Sequence, residues 1–248
     1  MSSCTVQLNK WFETPLGRRL LSEEKYLLQN ILPRLFGYHL LQIGNVGYGC
    51  LLESSRVRHC CVLSRMANTI CSPYSSIHAL ADDLPIASDN IDVVVLPHIL
   101  EFEKEPHQVL REVERILIPE GYLVILGFNP MSLWGMWRWM QRNTIPWNGR
   151  FLSLLRLKDW LALLGFDVKE QHTFFFGLPF QKDYFKNYTT FLEKIGSRWT
   201  FNFGAVYLVV AQKRVTTITP IRQKWLTQPA LVTEAAGTLR ATDEYYPY

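Results

Sequence analysis

The sequence lacks the features that mark membrane and secreted proteins. No run approaches the roughly 18 consecutive apolar residues that a membrane-spanning helix needs. The first residues, MSSCTVQLNKWFETPLG, contain no apolar core of the kind found in signal peptides. We therefore expect a cytoplasmic protein without a membrane span.

Cysteine motifs are absent as well. The five cysteines, at positions 4, 50, 60, 61 and 71, form no CxxC pair and no second cluster, which argues against a zinc site or a disulfide framework. Buried free thiols are the simpler interpretation, and no metal site is expected. No tyrosine has a lysine four residues further on, so the catalytic pair of a short-chain dehydrogenase is missing too.

The chain has no large excess of positive or negative charge. The formal net charge of +4, with 19% of residues charged, is too small by itself to indicate nucleic-acid binding. With 248 residues, 48% of them hydrophobic, the chain can bury one sizeable core. We expect a single domain over residues 1–212, including an N-terminal helical extension at 1–37, and a mostly irregular tail of low apolar density at 213–248.

The N-terminal extension shows a helical pattern. Apolar residues recur at roughly helical spacing between residues 11 and 37, which predicts an amphipathic helix. Ser22, followed by Glu23 and Glu24, is typical of a helix start, because acidic side chains in the first turn interact favourably with the helix dipole. Such a helix either packs on a sheet or forms a lid over a ligand site.

The most regular pattern in the chain lies within residues 81–129. Ile91 to Leu96 (IDVVVL) is short, β-branched and almost entirely apolar, as expected for a parallel strand covered on both faces. A helix is predicted from Pro106, Pro119-Glu120-Gly121 ends it, and a second apolar strand follows at Tyr122 to Phe128. This β-α-β unit indicates an α/β fold with a right-handed crossover.

A glycine cluster follows the first predicted strand. Tyr38 to Ile43 leads directly into GNVGYG at residues 44–49, with GxxGxG spacing and not the dinucleotide GxGxxG. At the carboxyl end of a first strand such glycines let a ligand approach the backbone, although a turn with positive φ would need the same residues. Further strands are predicted at Arg58 to Ser64, Ser75 to Leu80, Phe166 to Phe176 and Gly204 to Ala211, and a helix at Lys182 to Ile195.

The order of these segments carries a family resemblance. The glycine turn is followed by DDLPI from residue 82, DNIDVVV from residue 89, HILEF from residue 98 and LREVERILIPEGYLVI from residue 110. This order resembles class I S-adenosylmethionine-dependent methyltransferases of the type 11 group, and LLQIGN (40–45) and GFNP (127–130) are similar to YafS-like bacterial methyltransferase-domain proteins. The resemblance implies a Rossmann-like, mostly parallel α/β sheet of seven strands with a final antiparallel strand and helices on both faces.

The resemblance also implies S-adenosylmethionine across the carboxyl ends of the first four strands. Its sulfonium would lie near Leu96 to His98, where His98 is a candidate general base because its reference pKa is near neutral. The alternative is a histidine that anchors the loop by hydrogen bonds. The implied cofactor-binding residues are Gly44, Asn45 and Gly47 in the glycine turn, Ser64 by the ribose, Leu80 and Ala81 at the adenine edge, and Leu96.

Three positions depart from the family pattern. Gln42, Ser64 and Leu80 stand where the family has carboxylates, and each loss removes charge-assisted hydrogen bonds worth roughly 1.5–3 kcal/mol. Asp82 and Asp83 follow closely enough to compensate in part. The sequence thus favours a methyltransferase that acts on an unidentified, small, partly aromatic or lipophilic acceptor; the alternative is a degenerate methyltransferase-fold protein that binds a ligand or partner without turnover.

Residues 130–165 form a Trp/Arg-rich insertion. They contain five of the eight tryptophans of the chain, interleaved with basic residues. Such a segment could be a lid for the acceptor, a membrane-surface patch or a platform for RNA. Alternatively the tryptophans fill the core and the arginine heads reach outward. The residues concerned are Trp134, Trp137, Trp139, Trp147 and Trp160, with Arg138, Arg142, Arg150, Arg156 and Lys158.

Overall fold

The computed structural model describes residues 2–45, 51–65, 74–140, 144–176 and 204–214. They belong to one compact unit that spans Met1–Val215. The helix predicted at Lys182 to Ile195 and nearly all of the predicted tail lie outside the described residues. Within the described part, no helix is both long and apolar enough to cross a membrane.

The described residues form a seven-stranded sheet with the order β3-β2-β1-β4-β5-β7-β6. Strands β1 to β5 pair in parallel, whereas β7 runs antiparallel to both β5 and β6. This arrangement confirms the predicted mostly parallel sheet with a final antiparallel strand. The strands are β1 (His39–Ile43), β2 (His59–Ser64), β3 (Ser75–His78), β4 (Ile91–Pro97), β5 (Leu117–Phe128), β6 (Phe166–Phe174) and β7 (Val206–Lys213).

Helices cover both faces of the sheet. Alternate residues of β4 point to opposite faces, as a pleated strand requires. Val93 and Val95 pack in one core with Leu20 and Leu28 of α2, while Val94 belongs to the second core, under α3 and α5. The helices are α1 (Ser2–Phe12), α2 (Pro15–Ile31), a 3₁₀ turn (Leu32–Arg34), α3 (Pro106–Ile116), α4 (Leu133–Met140) and α5 (Leu154–Leu163).

The helix predicted to start at Ser22 begins instead at Pro15. Thr14 is its N-cap, because the Thr14 hydroxyl accepts a hydrogen bond from the Gly17 N–H at 3.2 Å, and proline is well suited to the first helical position. The Ser22 hydroxyl donates to the Arg19 carbonyl at 2.7 Å, within the helix. The prediction was wrong because a serine followed by acidic residues is typical of a first helical turn, whereas Glu23 and Glu24 lie in the middle of this helix.

The strand predicted to start at Tyr122 begins earlier, at Leu117. Helix α3 ends at Ile116, and Leu117 pairs directly with Ile91 of β4. The Pro-Glu-Gly segment lies inside β5 as an irregularity, with Glu120 at a φ of 63°. Leu117 is completely buried, so burial of its side chain extends the strand past the expected turn.

Candidate functional site

The turn after β1 begins with a glycine in the left-handed region of the backbone. Gly44 has a φ of +88°, a conformation that favours glycine, and a Cβ there would lie 3.2 Å from Cδ1 of Ile99. The Gln42 side-chain amide, in place of the family's acid, donates to the Gly44 carbonyl at 2.9 Å. Gly47 lies outside the described residues.

Buried polar atoms without partners lie at this turn. Gln42 and Asn45 are buried, and among the described residues Oε1 of Gln42 and both side-chain heteroatoms of Asn45 have no hydrogen-bond partner. A buried polar group left unpaired costs about 1–3 kcal/mol. The turn therefore offers two acceptors and one donor to a polar ligand.

A second polar group lies at the carboxyl ends of β2 and β3. Ser64 is buried at the end of β2, and the next residue, Arg65, places Nη2 3.5 Å from Oε2 of Glu103. Glu103 follows β4, so the Arg65–Glu103 pair bridges the end of β1, which lies between β2 and β4. Burial raises the pKa of Glu103, Arg65 opposes the shift and Asp82 adds to it.

Asp82 and Leu80 lie near this pair on the loop after β3. Oδ1 of Asp82 is buried and has no hydrogen-bond partner in the part of the chain that the structure describes. Leu80 is 46% exposed, whereas Ala81 is buried. Asp82 and Glu103 thus supply carboxylates on the loops after β3 and β4, whereas Ser64 and Leu80 supply none.

His98 lies in a strained turn directly after β4. Its φ is +50°, which is uncommon for a residue with a side chain, and its N–H donates to the Leu126 carbonyl at 3.0 Å. The imidazole is buried against the ring of Phe128, with the ring centroids 4.2 Å apart. The predicted site residue Leu96 is completely buried, and its side chain packs in the core under α3 and α5.

Two buried carboxylates face the His98 ring, and we call these three residues the Glu–His–Glu cluster: Glu24, His98 and Glu101. Nε2 lies 2.7 Å from Oε1 of Glu24, and Nδ1 lies 3.8 Å from Oε1 of Glu101. Burial lowers the pKa of His98, but the two carboxylates outweigh it and raise the pKa to about 9. His98 is therefore an imidazolium at neutral pH.

Glu101 ties the cluster to the next strand. Its Oε1 accepts a hydrogen bond from the Phe128 N–H at 2.7 Å. Within the described ranges, Oε2 of Glu101, Oε2 of Glu24 and Nδ1 of His98 have no hydrogen-bond partner. Among the residues that the structure describes, no three histidine, cysteine or acidic side chains are arranged to hold a metal ion.

Glu24 was not predicted as a site residue. It lies 74 residues from His98 in the chain, and its place after Ser22 suggested a role in the helix start. The overlooked signal is that Leu20, Glu24, Leu28 and Ile31 share one helical face, so the acid falls on the buried stripe of α2.

Two tryptophans of the Trp/Arg-rich insertion fill the core. Trp134 and Trp147 are buried and their ring centroids lie 5.2 Å apart. Nε of Arg138 donates to the Trp147 carbonyl at 3.0 Å, and its guanidinium lies over the Phe151 ring. These two tryptophans are therefore not available for stacking on a base. Trp137 and Trp160 are partly buried, whereas Arg142 and the side chain of Trp139 lie outside the described residues.

Cys60 and Cys61, on β2, are free thiols. Both are half-buried rather than buried, and burial raises the pKa of each thiol. Neither thiol therefore has the character of a reactive nucleophile.

The chain is similar in sequence to known methyltransferase-domain proteins. The methyltransferase-domain family profile matches residues 54–125. YafS of Escherichia coli, itself described as uncharacterized, is 31% identical over 232 residues, which cover 93% of this chain and 91% of YafS.

Solved structures share the fold at low identity. A chain of the complex between the Haloferax volcanii Trm112 methyltransferase activator and a methyltransferase covers 86% of this chain and 98% of its own length, with a TM-score of 0.61 and 17% identity. A Thermotoga maritima protein, described as a SAM-dependent methyltransferase and possible histamine N-methyltransferase, covers 79% of this chain and 92% of its own, with a TM-score of 0.57 and 21% identity. The chain belongs to the family of YafS-like methyltransferase-domain proteins.

Proposed function

We propose that this methyltransferase uses S-adenosylmethionine as its cofactor and methylates a small acceptor, in the cytoplasm. The observation that carries the proposal is the set of buried, unpartnered polar atoms at the carboxyl ends of the first four strands. They belong to Gln42, Asn45 and Asp82. An open α/β sheet binds its ligand at this edge.

The residues present fit the two ends of the cofactor. Gln42 Oε1 and the Asn45 side chain would hold the ammonium and carboxylate groups of the methionine part. Ser64 and Glu103 would face the ribose hydroxyls, because a carboxylate from the loop after β4 can accept hydrogen bonds that the family takes from β2. Asp82 Oδ1 would accept a hydrogen bond from the adenine amino group.

The bound cofactor would supply an electrophilic methyl group on a sulfonium. The chain's own contribution is to position the two reactants and to exclude water, which suffices when the acceptor is nucleophilic. His98 was a candidate general base, but an imidazolium has no free lone pair at neutral pH, and its ring is buried against Phe128 and paired with Glu24. These contacts favour the alternative, a histidine that anchors the loop.

Calorimetric titration and thermal shift with S-adenosylmethionine and S-adenosylhomocysteine test the proposal. We expect saturable heat and a raised melting temperature with both ligands. The absence of both effects at millimolar ligand would exclude the cofactor. Asp83→Asn is a matched control, because Asp83 is an exposed neighbour of Asp82 and should bind both ligands like the wild type.

The second candidate is a binding protein without turnover, favoured by the loss of the family carboxylates at Gln42, Ser64 and Leu80. Conversion of S-adenosylmethionine to S-adenosylhomocysteine separates the two functions. Ligand binding without conversion, over a panel of small amine, hydroxyl and lipophilic acceptors, would favour the second.

RNA stays a predicted alternative partner through the Trp/Arg-rich insertion, now without stacking by Trp134 and Trp147. If Arg138 and Arg142 contact phosphates, RNA binding weakens steeply with added salt. A flat salt response would exclude such a phosphate platform.

A further inference from the structure

We propose that Glu24, on the N-terminal helix α2, is a positioning residue of the methyl-transfer site: its contact with His98 fixes the turn after β4 that faces the cofactor. This inference rests on the proposed function and deepens it. It makes the N-terminal extension part of the transfer site. The alternatives were a helix that only packs on the sheet and a lid over a ligand.

The first step is the burial of the Glu24 carboxylate. The side chains of Glu24 and His98 are both 0% exposed, and Glu24 Oε1 lies 2.7 Å from His98 Nε2. Buried ion pairs often stabilise a protein less than apolar residues of similar volume would. Stability alone therefore gives little reason for an acid on the buried stripe of α2.

The second step is the path of contacts from His98 to the cofactor loop. His98 occupies the left-handed region, with a φ of +50°, and such a backbone persists only when its surroundings hold it. The next residue, Ile99, lies against Gly44, where a Cβ would come within 3.2 Å of its Cδ1. Holding the His98 ring thus holds Ile99 against the first glycine of the cofactor turn.

The third step concerns charge. Two carboxylates face the ring, Glu24 from α2 and Glu101 from the turn after β4, and the titratable Tyr207 from β7 lies near Glu101. Burial and then Glu101 raise the pKa of Tyr207 well above its usual value, so its hydroxyl is neutral. His98 is therefore the cation that holds the two carboxylates together, and the geometry of the turn depends on its charge.

The test combines nuclear magnetic resonance with S-adenosylhomocysteine binding between pH 6 and pH 10. The protein is labelled in its histidine rings, and the His98 signal is assigned by its loss in His98→Gln. Glu24→Gln removes one charge and keeps the shape. Glu23→Gln is the matched control, because Glu23 is on the same helix but lies outside the Glu–His–Glu cluster and contacts Arg19.

In the wild type, the His98 ring should titrate near pH 9, and affinity for S-adenosylhomocysteine should be constant at lower pH and fall as the ring loses its proton. In Glu24→Gln, the ring should titrate at a lower pH than in the wild type. Affinity at pH 8 should then be about tenfold weaker than wild type and should recover on acidification. A purely structural role would give a loss of affinity that acid does not reverse.

Several results would overturn the inference. Wild-type binding that is unchanged in Glu24→Gln, or a His98 titration that the substitution does not move, would exclude the positioning role while leaving the proposed function intact. A wild type that binds no S-adenosylhomocysteine would instead overturn the proposed function and this role with it. If Glu24→Gln does not fold, the wild-type titrations alone test the inference. A ligand affinity that does not change as His98 loses its proton would contradict it.

Discussion

At the scale of single residues, the carboxyl edge of the sheet is defined by polar groups whose partners are far away in the chain. Glu24 reaches His98 from the N-terminal helix, and Glu103 reaches Arg65 from the loop after β4. The loops after β3 and β4 carry the carboxylates Asp82 and Glu103, whereas Gln42, Ser64 and Leu80 stand where the family has carboxylates.

The stability of the protein should depend on pH through His98. Its pKa is raised from 6.5 to about 9 in the folded protein, so its contribution to the free energy of unfolding is complete below about pH 6.5 and is lost as the pH rises through 9. We expect the wild type to lose about 3 kcal/mol relative to His98→Gln over this range. Urea unfolding at pH 6, 7.5 and 9 measures the free energy of unfolding of both proteins. The same dependence on pH in the wild type and in His98→Gln would contradict the prediction.

Asp82 should contribute to ligand affinity. Its Oδ1 is buried and unpaired, and a ligand amino group that donates to it would gain a hydrogen bond to a charged acceptor. Asp82→Asn should weaken S-adenosylhomocysteine binding by about tenfold, or about 1.4 kcal/mol. Isothermal titration compares it with Asp83→Asn, whose affinity should equal the wild type. Equal affinity in both variants would remove Asp82 from the site.

At the scale of secondary structure, helix α2 is the element whose boundaries matter most for the site. Its N-terminus is fixed by Thr14 and Pro15, and its buried stripe carries Leu20, Glu24 and Leu28 against the sheet. Any change that frays the helix from its start would loosen the segment that holds Glu24. The helix cap at Thr14 and the turn after β4 are therefore connected through α2, because Glu24 of this helix contacts His98 in that turn.

Removing the cap should weaken the fold measurably. Thr14→Ala eliminates the side-chain acceptor of the Gly17 N–H and should lower the free energy of unfolding by about 1 kcal/mol. Ser22→Ala is the matched control, since Ser22 lies inside the helix and should change stability much less. Chemical unfolding of both variants distinguishes them. A larger loss for Ser22→Ala than for Thr14→Ala would place the helix start where the sequence first suggested it.

At the scale of the whole molecule, the N-terminal extension completes one face of the sheet. Leu20, Leu28 and Leu32 are completely buried in the core that also contains Val93 and Val95 of β4. Aromatic side chains pack on the same face: the ring centroids of Trp11, in α1, and Trp134, in α4, lie 6.0 Å apart. The extension is therefore part of the core and not an appendage.

Deletion of residues 1–37 should abolish cooperative folding. Each fully buried leucine contributes roughly 1.5–3 kcal/mol, and three such side chains approach the 5–15 kcal/mol that typically separates folded from unfolded domains. Circular dichroism during heating and size-exclusion chromatography measure the result. A truncated chain that remains monomeric and melts in one sharp transition would contradict this prediction.

Local patterns were enough to predict most of the sheet. The apolar run of β4, the helix from Pro106 and the apolar second half of β5 depend on interactions between near neighbours and on burial that any packed sheet provides. A turn with positive φ, one of the two explanations that the sequence left open for the glycine cluster, is observed at Gly44. The positions without carboxylates were identified through the family resemblance.

Only the tertiary structure decided what surrounds His98. Whether a histidine is a base or an anchored cation depends on its burial and on the charges near its ring. Here the packing of the chain brings two carboxylates, those of Glu24 and Glu101, to the ring. Glu24 comes from a distant helix, and Glu101 faces the ring only because the left-handed turn at His98 brings it there. The sequence shows which residues are neighbours along the chain, whereas a pKa depends on which groups are neighbours in space. The role of His98 could therefore be assigned only from the tertiary structure.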